Sequence, residues 1–227
     1  MASLPQLKTA VSALLRSAGA AGTLQLNSNT RERAFEAYIF GLVLRAARQA
    51  GATVELIGIL SGDDPSPVVF RGGPGRIGSR SQDFAYARCT LNGTTFEVHL
   101  DVEYEGSSGA VHEIDVSLVD ADHADAVRAY SGRLPSTRYL RAALECKFYD
   151  STLGVALGRT FVGLVDDCGQ LMFKALATNG TNSGLAYYLR TSRRPEPFFD
   201  LSPLTVRSAH RFVFNLEQAL RKWACVT

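Results

Sequence analysis

Two short segments of the chain place charged residues on one face of a predicted strand and apolar residues on the other. Because side chains alternate between the two faces of a strand, Glu145 and Lys147 share the polar face in residues 144–148. In residues 111–119 the same alternation puts Asp115 on the polar face. If the two strands are neighbours in one sheet, Asp115, Glu145 and Lys147 meet at one place. Carboxylates and an ammonium group at one place are sufficient to bind a metal ion and to activate a water molecule.

The rest of the chain alternates between helical and strand patterns. The clearest strand signal is a hairpin of residues 84–91 and 94–105, joined at Asn92 and Gly93, a dipeptide favoured in two-residue hairpin turns. Helices are predicted at 4–17, 31–49, 122–131, from a cap at 150–152 to Asp166, 183–192 and 203–223, and further strands at 54–60, 138–149 and 170–177. This order predicts an α+β fold of α/β type, in which a central mixed β-sheet is flanked by helices.

The length predicts a single domain over residues 1–227. We expect an N-terminal helix and linker over residues 1–28, a core over residues 30–180, and C-terminal helices over residues 181–227. The hydrophobic fraction of 46% is sufficient for a sizeable core.

Composition and motifs exclude several classes of protein. There is no run of 18 apolar residues, which argues against a membrane span, and the first helix is too polar for a signal peptide. The four cysteines show no CxxC spacing, so neither a zinc knuckle nor a disulfide framework is indicated, and we expect a reduced, cytoplasmic protein. The net charge is only +2, but most of the basic residues are arginines, which suit bidentate phosphate contacts.

Residues 94–105 alternate regularly between apolar and polar side chains. Glu97, His99, Asp101 and Glu103 fall on the polar face. We interpret this row as a strand face exposed to solvent, in preference to a second metal site.

The combination of Asp115 with Glu145-x-Lys147 on a later strand resembles the PD-(D/E)xK nuclease superfamily. Glu36, on the predicted helix of residues 31–49, matches the glutamate that many members carry on an early helix. The proline of the motif is absent, since Ile114 precedes Asp115. The resemblance implies a restriction-endonuclease-like core over residues 30–180, with inserted strands.

The resemblance also implies a mechanism for phosphodiester hydrolysis. Asp115, Glu145 and the backbone carbonyl of Cys146 would hold Mg²⁺, for which Mn²⁺ can substitute, and Lys147 would position the attacking water. Glu36 would hold a second metal ion or its water, and Glu113 is a reserve ligand. The alternative for Glu36 is a simple helical ion pair with Arg33. The alternative for Glu145 and Lys147 is an exposed charge pair on a strand.

Nucleic acid is the partner that follows from this resemblance, and DNA is favoured over RNA. Arg76 and Arg80 in a glycine-rich loop, and Arg159 on a later helix, are candidate phosphate contacts. The chain shows no zinc finger or helix-turn-helix for reading bases, so we expect a targeting partner protein or a homo-oligomer.

Two functions remain open at this point. The first is a metal-dependent deoxyribonuclease, for example an effector in phage or plasmid defence, or a repair or resolvase-type nuclease. The second is a catalytically silent subunit that uses the nuclease fold for binding within a larger complex. The sequence does not separate endonuclease from exonuclease action.

Overall fold

The computed structural model of the chain describes residues 1–130, 132–149, 154–190 and 195–225. The helices are α1 (Leu4–Ser17), α2 (Arg31–Ala50), α3 (Ala121–Arg128), α4 (Val155–Asp167), α5 (Ser183–Leu189) and α6 (Val206–Ala224). The strands are β1 (Leu24–Leu26), β2 (Thr53–Gly58), β3 (Gly62–Asp63), β4 (Val68–Phe70), β5 (Ala85–Leu91), β6 (Thr94–Glu105), β7 (Val111–Asp120), β8 (Leu140–Lys147), β9 (Phe173–Thr178) and β10 (Glu196–Phe198).

The main sheet is mixed, as the order of elements predicts. Its strand order is β10-β9-β8-β7-β6-β5-β2-β3. In this order, the neighbouring strands from β8 to β3 pair antiparallel, whereas β8–β9 and β9–β10 are parallel. A separate small sheet pairs β1 with β4 in parallel. The predicted α+β fold, a mixed sheet flanked by helices, is therefore confirmed.

Two hydrophobic cores lie on opposite faces of this sheet. The first core is formed with α1, α2 and α6, and the second with α3, α4 and α5. Helix α2 is the centre of the first core and is buried along most of its length. The Thr30 side chain caps its start, and Gly51, with a φ of 107°, ends it in the left-handed conformation that glycine adopts without strain. The apolar stripe of α2 thus fixes this helix, and the residues on its first turn, against the sheet.

The polar face of β6 is not exposed, and our interpretation of this row as solvated is wrong. Glu97, His99 and Asp101 are all buried, while Glu103 is half-buried. Arg88 and Arg128 form ion pairs with Glu97, whose second oxygen lies 2.8 Å from His99 Nε2.

Elements that the sequence pattern missed are all short. β1, β3, β4 and β10 have two or three residues each, too few for a periodic signal. The predicted helices and strands are present with boundaries that differ by a few residues. The predicted cap at 150–152 lies outside the described residues. In the described part of the chain, no helix is long and apolar enough to cross a membrane.

Candidate active site

Strands β7 and β8 are neighbours, as the sequence prediction requires. Their ladder pairs Val116 with Leu144, and this is the last pair before Asp115 and Glu145. The Cys146 N–H donates instead to Asp115 Oδ2, at 2.7 Å. Asp115 is 5% exposed. Its carboxylate accepts a backbone hydrogen bond from the neighbouring strand and is also part of the candidate site.

Lys147 connects Asp115 to Glu145. Its Nζ lies 3.3 Å from Asp115 Oδ2 and 2.6 Å from Glu145 Oε1. The side chain of Lys147 is 27% exposed, so this part of the site is open to solvent. The alternation of β8 therefore brings the predicted Asp, Glu and Lys into direct contact.

A second pair of carboxylates is formed by Glu36 of helix α2 and Asp101 of β6. Arg33 Nη1 lies 2.7 Å from Glu36 Oε2 and 2.9 Å from Asp101 Oδ1, so one guanidinium nitrogen bridges two carboxyl groups. The predicted helical ion pair between Arg33 and Glu36 is present, but it is shared with Asp101 on β6. The first turn of α2 is therefore attached to the sheet at the level of Asp115.

Asp115 lies between two groups of side chains, one around Lys147 and one around Arg33. Oxygen atoms of Glu36, Asp101 and Asp115 lie within 4.8 Å of one another, and all three residues are buried. Two ligands on opposite sides of an octahedral Mg²⁺ are about 4.2 Å apart, twice the Mg–O distance of about 2.1 Å. Three hard carboxylate oxygens gathered within this distance could hold a divalent cation. Glu145 lies outside this group of three, on the side of Asp115 where Lys147 binds.

The conformation of Asp101 marks the site independently. It has a φ of 50°, in the left-handed region, although it lies inside β6. Such strain in a residue that is not glycine concentrates at functional sites. Strand β6 changes sides here: Val98 and Leu100 pack in the first core, and Val102 and Tyr104 in the second. This change turns the Asp101 carboxylate toward α2 and buries it.

Burial and mutual repulsion hold protons on the carboxyl groups. Burial, with the charges of Asp101 and Asp115, raises the pKa of Glu36 to about 8. Burial raises the pKa of Asp101 to about 7, against the opposing effect of Arg33. Burial and Asp115 raise the pKa of Glu145 to about 7. Burial opposes the charge on Lys147, but Asp115 and Glu145 outweigh it and raise its pKa. The site thus contains more carboxyl groups than its two bridging cations can pair with in ionised form.

The other predicted ligands lie nearby. Glu113 is half-buried, and burial with the charge of Asp115 raises its pKa. The Cys146 N–H points toward Asp115. Because the N–H and C=O of one residue in an extended strand point to the same side, the Cys146 carbonyl is directed there too.

The predicted phosphate contacts lie apart from this site. Arg76 is exposed and donates a hydrogen bond to the backbone carbonyl of Gly132. Arg80 and Arg159 are exposed, the latter on α4. The glycine-rich loop itself packs along β6, because the Gly75 N–H donates to Asp101 O and the Glu103 N–H donates to Gly75 O, both at 3.0 Å. The backbone of the loop therefore supports Asp101 directly.

Asp101 and Arg33 are the site residues that sequence reasoning missed. The acidic row on β6 was the available signal for Asp101, and it was interpreted as a solvated face. A Ser–Asp–His contact elsewhere is no second active site: Asp167 accepts from Ser107, Ser108 and His112, so the aspartate lies between the serines and the histidine. Nucleophilic catalysis requires the histidine in that middle position.

Comparison of the chain with protein-family models, with curated protein sequences and with solved structures found no match. The function must therefore be argued from the site itself.

Proposed function

We propose that this chain is a metal-dependent nuclease that hydrolyses phosphodiester bonds in DNA. The observation that supports the proposal is the contact of Asp115 with Lys147 and, through it, with Glu145, beside the buried carboxylates of Glu36 and Asp101. Structural ion pairs need no such excess of buried carboxyl groups. A divalent cation would balance this excess, and the bound cation would in turn attract a phosphodiester.

Each residue has a role in this proposal. Asp115, together with Glu36 and Asp101, would hold Mg²⁺ or Mn²⁺, with the Cys146 carbonyl and Glu145 as further oxygen ligands. A bound divalent cation would make water more acidic and neutralise charge that develops on the phosphate. The ammonium group of Lys147 is held between two carboxylates and is therefore fixed beside the proposed metal ligands. From there it would orient the attacking water and donate to the phosphate oxygens.

Cleavage of DNA by purified protein tests the proposal. We expect the wild type to cut supercoiled or linear DNA with Mg²⁺ or Mn²⁺ and to be inactive with EDTA. Asp115→Asn keeps an acceptor for the Cys146 N–H, and Lys147→Met keeps the length of the side chain. Both are expected to lower kcat about 100-fold or more, the usual loss when a transition-state contact is removed.

The matched control is Asp122→Asn, which removes the same charge from an exposed position on α3. It should cut as the wild type does. Equal activity in Asp115→Asn and the wild type would contradict the proposal. An RNA substrate in parallel shows whether the preference for DNA holds.

A second candidate is the catalytically silent binding subunit. One observation favours it: Arg33 and Lys147 each bridge two carboxyl groups, so the site is partly neutralised without any ion. If the wild type neither cuts DNA or RNA nor gains thermal stability from divalent cations, this second function is the correct one.

A further inference from the structure

A second concave site lies beside β10 at the edge of the main sheet. This pocket has a volume of about 640 Å³ and is walled by α5, β10 and the first turns of α6. Its lining combines three arginines with apolar side chains: Arg190, Arg207, Arg211, Pro197 and Phe199. We call it the arginine pocket.

Among the described residues, no carboxylate forms an ion pair with an arginine of the arginine pocket. Arg211 is held in place, since its Nη2 donates to the Pro197 carbonyl at 2.8 Å and its guanidinium lies 5.0 Å from the centre of the Phe198 ring. Arg190 and Arg207 are exposed, and neither forms an ion pair with a carboxylate of the described residues. Unpaired guanidinium groups around one cavity predict an anionic ligand, and their planar donors match the geometry of phosphate.

The start of α6 adds to this positive potential. The helix has 19 residues, no side-chain cap and no acidic residue in its first turn. Arg207 lies in that turn, where a positive charge opposes the helix dipole and lowers helix stability. A basic residue at this place is therefore better explained by a bound anion than by helix stability.

The arginine pocket and the carboxylate site lie at the same end of the parallel strands of the sheet. Strands β8, β9 and β10 are parallel; Lys147 pairs with Thr178, and Phe198 pairs with Ala177. Phe199 is therefore level with Lys147 and two strands away, a separation of about 10 Å at about 4.8 Å per strand. One ligand can reach both places if it is extended and carries regularly spaced negative charges.

We propose that the arginine pocket binds a phosphate group of the same nucleic-acid strand whose scissile phosphodiester lies at the carboxylate site. At a rise of about 3.4 Å per nucleotide along the helix axis, a separation of about 10 Å corresponds to about three nucleotides. This inference rests on the proposed function, because it assigns the strand to a nuclease substrate. It makes the pocket a positioning site that sets how far the strand extends past the point of cleavage.

Binding measured without metal tests the pocket separately from catalysis. We would follow fluorescence anisotropy of a labelled DNA strand and duplex in EDTA at several salt concentrations. The variants are Arg207→Gln, the double variant Arg190→Gln/Arg207→Gln, and the control Arg16→Gln, which removes an exposed helical arginine from α1. Each pocket arginine that contacts a phosphate should lower the slope of log K against log salt by about one. The Arg16 control should leave the slope unchanged.

Thermal unfolding in inorganic phosphate shows whether the pocket binds a nucleic-acid strand or a small phosphate compound. Loss of DNA affinity in the pocket variants, with the folded state intact, would support the proposal. Equal DNA binding by wild type and double variant would overturn it, as would an absence of DNA binding by the wild type. A phosphate-dependent rise in Tm that the double variant loses, with unchanged DNA binding, would assign the pocket to a small phosphate and also overturn it. A wild type that binds DNA through the pocket but cuts neither DNA nor RNA would contradict the nuclease function alone.

Discussion

Single side chains decide the charge balance of the carboxylate site. Glu145 and Lys147 could be predicted from the sequence because the alternation of β8 places them on one face, and Asp115 could be predicted because its strand is the neighbour of β8. Asp101 could not, because its left-handed φ breaks the alternation on which the prediction depends. The bridge from Arg33 to Asp101 spans 68 positions in the sequence, a contact that no local pattern reports.

Replacing Arg33 by Gln should expose the repulsion between Glu36 and Asp101. The variant loses charge-assisted hydrogen bonds to both carboxyl groups, and such bonds are worth about 1.5–3 kcal/mol each. The loss should be larger at pH 8 than at pH 5, since the raised pKa values keep both carboxyl groups protonated at pH 5. Urea unfolding at the two pH values measures it, with Arg45→Gln on the same helix as control. Equal destabilisation at both pH values would show that Arg33 acts through packing alone.

At the scale of elements, β6 shows why the exposure of a strand is hard to predict. Its apolar residues divide between the two cores on either side of Asp101. Strand β7 divides likewise, with Ile114 in the second core and Val116 and Leu118 in the first, although simple alternation predicts one shared face. Glu97 in the polar row of β6 is covered by α3 with its Arg128, and α3 follows β6 and β7 in the chain. A strand's own pattern contains no information about that covering helix.

The buried Glu97 should therefore be essential for the attachment of α3. It is fully buried, and Arg88 and Arg128 both form ion pairs with it. Hydrogen bonds from His99 and Arg128 hold its pKa well below its usual range in spite of burial. Glu97→Ala leaves two guanidinium groups without this partner, and loss of one member of a buried ion pair costs about 3–5 kcal/mol. Urea unfolding gives the loss, and hydrogen exchange should show faster opening of α3. Glu105→Ala, at the exposed end of the same strand, should be near neutral. A similar loss in both variants would contradict this role for the network.

In the whole molecule, long elements were predictable and their assembly around the site was only partly so. The helices with strong apolar periodicity and the mixed sheet follow from local patterns. The site combines β6, β7 and β8 with α2, which lies far from these strands in the chain, and burial arises only when both cores close on the sheet. This burial links the ionisation of the site to the stability of the entire fold.

Thermal stability of the metal-free protein should consequently fall as the pH rises from 5 to 8. The pKa of Glu36 is raised from 4.5 to about 8, and Asp101 and Glu145 are raised to about 7. Between these values the folded protein binds protons that the unfolded chain has released, so the stabilising contribution is complete below about pH 4.5 and is lost as the pH passes through 7 to 8.

Divalent cations should reverse this dependence, because they bind the ionised carboxylates and displace the protons. We expect Mn²⁺ or Mg²⁺ to raise Tm more at pH 8 than at pH 5. At 100 times the dissociation constant the gain is about 2.7 kcal/mol, or roughly 5–11 °C at about 2–4 °C per kcal/mol for a chain of this size. Calorimetry across this pH range measures the slope of Tm against pH, once with EDTA and once with metal.

Glu36→Gln should flatten the slope of Tm against pH in the metal-free protein and reduce the gain in Tm from metal. Glu32→Gln, at an exposed position near the start of α2, should change neither. A Tm that is independent of divalent cations at pH 8 would remove the metal from the proposed function and leave the carboxylates as a proton-binding cluster.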